Sequence, residues 1–132
     1  MKGYLVDAAI FLWSLGSPER LNRNAIAILE DTGTELFLSA ASSWEISIKS
    51  SLGKLKLPEA ASSYVPKRMT LQGIRALPVS HIHALAAGEL PQHHCDPFDR
   101  MLVAQARSED MVLMTADPVF KKYAVEILWC AR

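Results

Sequence analysis

The chain alternates short, continuous apolar runs with longer segments of helical apolar spacing, and this alternation restricts its fold more than any other feature. A run that is apolar at every position is typical of a strand buried on both faces of a sheet. Such runs occupy residues 4–6, 36–38, 77–79 and 111–114, and a final strand is predicted at residues 125–128, Val-Glu-Ile-Leu, which contains one acid. Because helical segments separate them, the connections are crossovers, which join parallel strands. We therefore predict a three-layer α/β/α fold with a mostly parallel central sheet.

The segments between these runs carry signals for helix starts and stops. Asp96 and Pro97 predict the N-cap and first position of a helix that continues to Ser108. Residues 42–45, Ser-Ser-Trp-Glu, match a capping box in which Glu45 bonds back to the N–H of Ser42. The other helices are predicted at residues 10–15, 17–33 with Gly33 as the stop, 42–52, 57–73, 80–87 and 118–123.

Length and composition predict a single domain over residues 1–132. The chain has 132 residues, and half of them are hydrophobic, so it can bury a core without a metal or a disulfide. Fourteen basic and fourteen acidic residues balance, and net charge therefore neither favours nor excludes a nucleic-acid partner. Between residues 46 and 75 there are six basic residues and only one acidic residue, Glu59. That segment either faces phosphates or is a solvated helical surface.

Cysteine usage and hydropathy predict a cytoplasmic protein without a membrane span. Cys95 and Cys130 are too few to indicate a disulfide framework, so a reducing compartment is expected. The apolar run near the N-terminus contains Asp7 and lacks a clean cleavage site, which argues against an export signal. Adjacent residues do not normally close a tetrahedral site, so the consecutive His93, His94 and Cys95 do not predict structural zinc.

Five acidic side chains are expected at one edge of the sheet, because the carboxyl ends of parallel strands meet there. They follow strands or open helices: Asp7, Glu45, Asp96, Asp99 and Asp117. Clustered carboxylates repel one another unless cations compensate, and oxygen ligands favour Mg2+ or Mn2+. Such a site is suited to phosphodiester hydrolysis. The alternative is structural, since Asp96 and Asp99 also satisfy a helix start and Glu45 also completes a capping box.

Several blocks of the sequence resemble the PIN-domain toxins of the VapC type. They are Leu-Val-Asp at 5–7, Ser-Trp-Glu-Ile-Ser-Ile-Lys at 43–49, Leu-Gly-Lys-Leu at 52–55, His-Cys-Asp-Pro-Phe-Asp-Arg at 94–100, Thr-Ala-Asp at 115–117 and Ile-Leu-Trp at 127–129. The resemblance implies a PIN-like fold and a metal-dependent endoribonuclease that cleaves RNA, is held inactive by a cognate antitoxin and usually dimerises. The acidic set that it implies is Asp7, Glu45, Asp99 and Asp117, with Asp96 adjacent. We favour Asp99 over Asp96 as the direct ligand, because Asp99 and the residues after it better match the acid followed by an apolar, alanine-rich helix in the family that the chain resembles.

The sequence also departs from this resemblance. Ala8 and Ala9 follow the first acid where Thr and then His or Asn are common, and Cys95 stands where a basic residue is common. Arg100 either contacts RNA or pairs with an acid. Trp13 and Trp44 are expected to pack in the core, because they lie at apolar helix positions. Two other functions stay open: a catalytically silent PIN-like module that binds RNA or protein, and a phosphotransfer or receiver domain with Asp7 as nucleophile.

Overall fold

A computed structural model describes residues 2–132 and contains a five-stranded sheet in which every neighbouring pair of strands is parallel. The strands are β1 (Tyr4–Val6), β2 (Leu36–Ser39), β3 (Ile74–Leu77), β4 (Val112–Thr115) and β5 (Ile127–Trp129). Their order across the sheet is β3-β2-β1-β4-β5. The predicted α/β class is therefore confirmed, and the parallel sheet accounts for the continuous apolar runs.

Helices cover both faces of this sheet. They are α1 (Ala8–Gly16), α2 (Arg23–Glu30), α3 (Ala40–Ser51), α4 (Ala61–Gln72), α5 (His81–Glu89) and α6 (Pro97–Ser108), with short 3-10 helices at Pro18–Arg20 and Pro118–Lys122. Successive residues of β1 enter opposite cores: Val6 packs with Phe11 of α1, and Leu5 packs with Val103 of α6. The three-layer arrangement follows from this alternation. No helix within residues 2–132 is long and apolar enough to cross a membrane.

The topology places a crevice at the carboxyl ends of the central strands. From β1 the chain builds outward through β2 to β3, and it then returns to the other side of β1 to add β4 and β5. The crossovers on the two sides of β1 therefore leave in opposite directions. This switch point is where open parallel sheets bind their ligands.

The segment predicted as one helix from residue 17 to residue 33 is divided. A single 3-10 turn ends at Leu21, which is buried and forms an isolated antiparallel bridge with Ala131. Asn22 then starts α2 by accepting a hydrogen bond from the N–H of Ala25. The helix ends at Glu30, before Gly33. The sequence has the apolar spacing of one continuous helix, but the pairing of Leu21 with the C-terminal segment breaks it in two.

The capping box predicted at residues 42–45 is wrong, because α3 begins directly at the end of β2. Ser39 is the N-cap, and its hydroxyl accepts a hydrogen bond from the N–H of Ala41 at 3.0 Å. Glu45 is therefore the sixth helical residue and too far along α3 to reach the N-cap. The strand predicted at residues 77–79 instead ends at Leu77, since Pro78 has no N–H for a sheet. The last strand likewise begins at Ile127 rather than at residue 125.

Candidate active site

One groove of about 790 Å³ lies at the carboxyl edge of the sheet and is lined by acidic side chains. All five acids that the sequence singled out line it: Asp7, Glu45, Asp96, Asp99 and Asp117. They arrive from four parts of the fold, namely the end of β1, helix α3, the start of α6 and the loop after β4. The tertiary structure thus brings together residues that are up to 110 positions apart.

Asp7 is the most deeply buried of these acids, with 6% of its surface exposed. It caps α1, and its Oδ1 accepts a hydrogen bond from the N–H of Ile10 at 2.8 Å. Burial raises the pKa of this carboxyl to about 6, and the negative charges of Asp99 and Glu45 act in the same direction. The hydrogen bonds from Thr115 and Ile10 oppose the rise in pKa. Asp7 therefore holds its negative charge at a free-energy cost, which a nearby cation would relieve.

Asp96 and Asp99 lie together at the start of α6. Asp96 is the N-cap, as predicted, and its Oδ1 accepts hydrogen bonds from the N–H groups of Phe98 at 2.8 Å and Asp99 at 3.2 Å. The Asp99 carboxylate lies 2.9 Å from Nε2 of His94, measured from Oδ2. Burial raises the pKa of Asp99 to about 6, although the hydrogen bond to His94 acts against this rise. Asp99 thus resembles Asp7 in favouring a proton or a cation.

Glu45 and Asp117 complete the acidic lining. Glu45 projects from the second turn of α3, and its Oε2 pairs with Nζ of Lys49, one turn later, at 2.9 Å. Asp117 is exposed and caps the second 3-10 helix by accepting a hydrogen bond from the N–H of Val119 at 3.0 Å. Its own N–H donates to the hydroxyl of Thr115 at 3.1 Å. Glu45 is therefore free of any capping role, whereas Asp117 retains one.

Capping does not compete with ligation at these positions. Asp7, Asp96 and Asp117 each use one carboxylate oxygen to cap a helix, and no described hydrogen bond from the backbone occupies the second oxygen. A carboxylate has two oxygens and about four lone-pair positions. The structural and functional interpretations of these acids can therefore both apply.

The tightest group of potential metal ligands includes a residue that the sequence analysis passed over. Ligand atoms of His94, Asp96 and Asp99 all lie within 4.8 Å of one another, and this is the only such group of three or more within residues 2–132. The spacing of the histidines along the chain bears only on a tetrahedral zinc site, which it does not support. The sequence signal that could have identified His94 as a potential ligand is its position two residues before Asp96, the predicted N-cap of α6. Asp7, Glu45 and Asp117 line the same groove outside this group.

The profile of the PIN domain matches residues 4–126, which is nearly the whole chain. The chain belongs to the PIN-domain family. Over 57 residues this PIN domain is 51% identical to Ribonuclease VapC16 of Mycobacterium tuberculosis, but the alignment covers 43% of the chain and only 40% of that protein. The resemblance to VapC-type PIN domains is thereby confirmed.

Solved structures share the fold of this PIN domain. A chain of VapBC2 from Rickettsia felis, bound to a DNA fragment from its promoter, superposes with a TM-score of 0.73 at 16% identity, covering 96% of this chain and 98% of the other. A chain of DNA-bound VapBC from Salmonella typhimurium gives 0.72 at 15% identity, covering 97% and 98%. At such identities the likeness establishes the fold alone.

Arg100 has neither of the two roles predicted for it in this PIN domain. It is buried, and its guanidinium donates hydrogen bonds of 2.9 to 3.3 Å to four backbone carbonyls, one in the last turn of α5 and three in the loop before α6. These carbonyls belong to Ala87, Leu90, Pro91 and His94. The planar fork of Arg can satisfy several acceptors at once. Arg100 therefore fixes the loop that carries His94.

The two tryptophans near the groove differ. Trp13 packs, half-buried, against the core, and the guanidinium of Arg20 lies 3.9 Å from its ring centre. Trp44 is 64% exposed, and its ring meets the edge of Phe98 with 5.4 Å between the ring centres. The prediction of core packing is therefore wrong for Trp44. The early start of α3 turns this position away from the core.

The basic segment between residues 46 and 75 divides between the groove and the outer surface. Lys49 and Lys56 line the groove beside the acids. Lys67 pairs with Glu59, with 2.8 Å between Nζ and Oε2. Arg75 in β3 pairs with Glu35, the residue directly before β2. Only part of this positive charge is therefore placed to meet a phosphate in the groove.

Proposed function

We propose that this PIN domain is a metal-dependent endoribonuclease and acts as the toxin of a toxin-antitoxin pair. The observation that carries the proposal is the convergence of five carboxylates on one groove at the switch point of the sheet. The partial match to a protein named as a ribonuclease supports the same activity. RNA is the proposed substrate, and the cytoplasm is the proposed place of action.

The donor atoms of the groove fit a hard divalent cation. Burial is the main reason that the pKa values of Asp7 and Asp99 are raised to about 6. A buried carboxylate is costly without a counter-charge, and a cation that displaces the proton supplies one. We assign the ligand role to Asp7, Glu45, Asp99 and Asp117, with Asp96 beside them. When bound, Mg2+ or Mn2+ would supply an activated water and neutralise charge on the attacking and leaving oxygens.

Residues of the chain then serve to position the RNA and to balance charge. Lys49 pairs with Glu45 in the structure, and its side chain is 53% exposed, so its ammonium group can turn to a phosphate oxygen once a cation neutralises Glu45. Lys56 lies in the same groove and offers a second contact to the backbone of RNA. Contacts of this kind orient the scissile phosphate without reading its bases.

An antitoxin is the proposed protein partner. Next to the acids, the groove is lined by apolar side chains of α1 and of the segment after α3, including Leu12, Trp13, Leu55 and Leu57. An amphipathic helix laid on this part of the groove could extend a basic side chain to the carboxylates and lower their repulsion. The structures of similar fold from Rickettsia felis and Salmonella typhimurium are described as VapBC complexes. A homodimer belongs to the same proposal and can be measured by sedimentation.

Metal-dependent cleavage is the direct test. Purified protein should cleave RNA with Mg2+ or Mn2+ and stop when EDTA is added, and Asp99→Asn should be inactive while remaining folded. Cleavage that continues in EDTA would contradict a metal mechanism. No cleavage under any condition would favour the silent binding module, and a covalent phosphate on Asp7 after incubation with a phosphodonor would favour the phosphotransfer alternative.

Growth assays test the biological role separately. Expression of the chain alone should arrest growth, and co-expression with a small upstream reading frame for a DNA-binding antitoxin should restore it. The two proteins should then co-purify. Normal growth during expression of the folded wild type would count against a toxin.

A further inference from the structure

We propose that His94 is a direct ligand of the metal held by Asp96 and Asp99, so that the site is a mixed nitrogen and oxygen site that prefers Mn2+ to Mg2+. The proposal rests on the proposed function in one respect, because both require a divalent cation among the acids. It starts from the three ligand atoms of His94, Asp96 and Asp99, which lie within 4.8 Å of one another.

The separation of the His94 and Asp99 ligand atoms fits neighbouring corners of an octahedral site. With ligand distances of about 2.1 Å, adjacent ligand atoms of an octahedron are roughly 3 Å apart and opposite ones roughly 4 Å apart. Nε2 of His94 and Oδ2 of Asp99 are 2.9 Å apart. A cation can therefore take the place of the proton that these two atoms share. The third donor, on Asp96, lies within 4.8 Å of both atoms, and a bound cation would draw it closer.

The three donors are held on a rigid frame. Asp96 and Asp99 are fixed by the first turn of α6, where Asp96 caps the helix. The carbonyl of His94 accepts a hydrogen bond from Nη1 of Arg100 at 3.3 Å, and Arg100 is itself buried in α6. The side chain of His94 is 30% exposed and faces Asp99. The backbone at His94 is thus tied to the helix that carries both carboxylates, and its imidazole already meets one of them.

Neighbouring side chains are excluded from this role. The ring of His93 packs edge-on against Tyr123, with 5.2 Å between the ring centres. Cys95 is exposed and does not belong to the group of ligand atoms. Of the three consecutive residues that could bind a metal, only His94 therefore points to the acids. This makes His93 a matched control, one residue away.

A nitrogen donor changes which cation the site prefers. Mg2+ demands oxygen ligands and is rarely bound by imidazole, whereas imidazole raises the affinity of a site for first-row transition metals. An all-carboxylate site would lack this discrimination. The predicted preference for Mn2+ over Mg2+ is therefore a property of His94 and can be measured without RNA.

Metal titration of the protein without RNA is the first test, with wild type, His94→Gln and His93→Gln compared by calorimetry. Glutamine keeps a hydrogen-bond donor for Asp99 but removes the imidazole nitrogen. Loss of even a residue that only supports a metal ligand costs about 10- to 100-fold in affinity, so His94→Gln should lose at least this much Mn2+ affinity. Its Mg2+ affinity should change far less, and His93→Gln should match the wild type for both ions.

Pulsed EPR of bound Mn2+ separates ligation from a role in orienting Asp99. Wild type and His93→Gln should show the modulation of a coordinated imidazole 14N, and wild type labelled with 15N-histidine should lose it. The labelling experiment does not depend on whether His94→Gln folds. Wild type without 14N coupling, or coupling that persists in folded His94→Gln, would overturn the proposal. An unchanged ratio of Mn2+ to Mg2+ affinity in folded His94→Gln would also overturn it.

Failure of this proposal is distinguishable from failure of the proposed function. Protein that cleaves RNA with Mg2+ or Mn2+ but shows no 14N coupling keeps the ribonuclease function and rejects His94 as a ligand. Protein that shows the coupling but never cleaves RNA keeps His94 as a ligand and rejects the ribonuclease function.

Discussion

Replacing Asp7 with Asn should stabilise the metal-free protein at neutral and alkaline pH, although it removes a proposed ligand. Burial raises the pKa of Asp7 to about 6 in the folded state, against an ordinary value of 3.8. Because one pKa unit corresponds to about 1.4 kcal/mol, ionised Asp7 destabilises the fold at pH 8 by about 3 kcal/mol. Asn carries no charge and keeps an oxygen to accept the hydrogen bond from Ile10. This figure is an upper value, because the pocket can relax.

The effect has a definite dependence on pH. Since the folded-state pKa lies above the unfolded value, the folded state holds its proton between pH 3.8 and about 6 while the unfolded state has released it. The contribution of Asp7 to the free energy of unfolding of the wild type is therefore fully present below pH 3.8, and it is lost as the pH rises through the folded-state pKa of about 6. Asp99 acts in the same direction, and its negative charge contributes to the raised pKa of Asp7, so the two carboxyls are coupled and Asp7→Asn also eases the ionisation of Asp99.

Urea unfolding in EDTA, followed by tryptophan fluorescence at pH 4.5 and pH 8, measures the difference. Asp7→Asn should exceed wild type in free energy of unfolding by about 3 kcal/mol at pH 8 and by about 1 kcal/mol at pH 4.5. Asp31→Asn makes the same chemical change on an exposed acid and should leave the wild-type pH dependence intact. Equal stability of Asp7→Asn and wild type at pH 8 would show that burial of this carboxylate carries no electrostatic cost.

Four further substitutions test the site and the packing around it. Glu45→Gln should reduce RNA cleavage by orders of magnitude in a steady-state assay, and its unfolding free energy should change by no more than about 0.5 kcal/mol, because the lost pair with Lys49 is partly exposed; full activity would remove Glu45 from the site. Arg100→Lys should cost about 2–4 kcal/mol in chemical denaturation, since an ammonium has three donors for four carbonyls; a neutral result would mean that the loop is held by other contacts. Trp44→Ala should cost at most about 1 kcal/mol, whereas Trp13→Ala should cost about 3 kcal/mol, and equal losses would contradict the exposed position of Trp44.

The fold class and the identity of the acids could be predicted from local sequence. Continuous apolar runs such as Tyr4–Val6 indicate strands buried on both faces, and helices between such runs leave few topologies. Acids that follow strands or open helices then meet at one edge by the geometry of a parallel sheet. The cap at Asp96 was also predictable, because Pro97 and the following apolar helix mark its position within a few residues.

Features that depend on long-range contacts were decided only by the tertiary structure. The helix after Ser17 breaks because Leu21 pairs with Ala131, a residue 110 positions later, and the sequence near Leu21 carries no signal of this pairing. Ser39 caps α3 because β2 runs directly into the helix, whereas Ser42 offered an equally good local signal. Local propensity is worth only a few tenths of a kcal/mol per residue, so tertiary pairing decides between such close alternatives.

The roles of individual side chains at the groove depended on the same long-range packing. Arg100 lies in a motif that suggests a contact with RNA or an acid, yet its direction is set by carbonyls at the end of α5 and in the loop that follows. Trp44 is exposed because the register of α3 on the sheet is set by Ser39, three residues before the capping serine predicted from local signals. The contacts of an individual side chain depend on how helices and strands pack together. The spacing of residues along the sequence does not determine these contacts. The sequence alone therefore determines which acids share the groove, and only the packing of α6 against the loop before it brings His94 to Asp99.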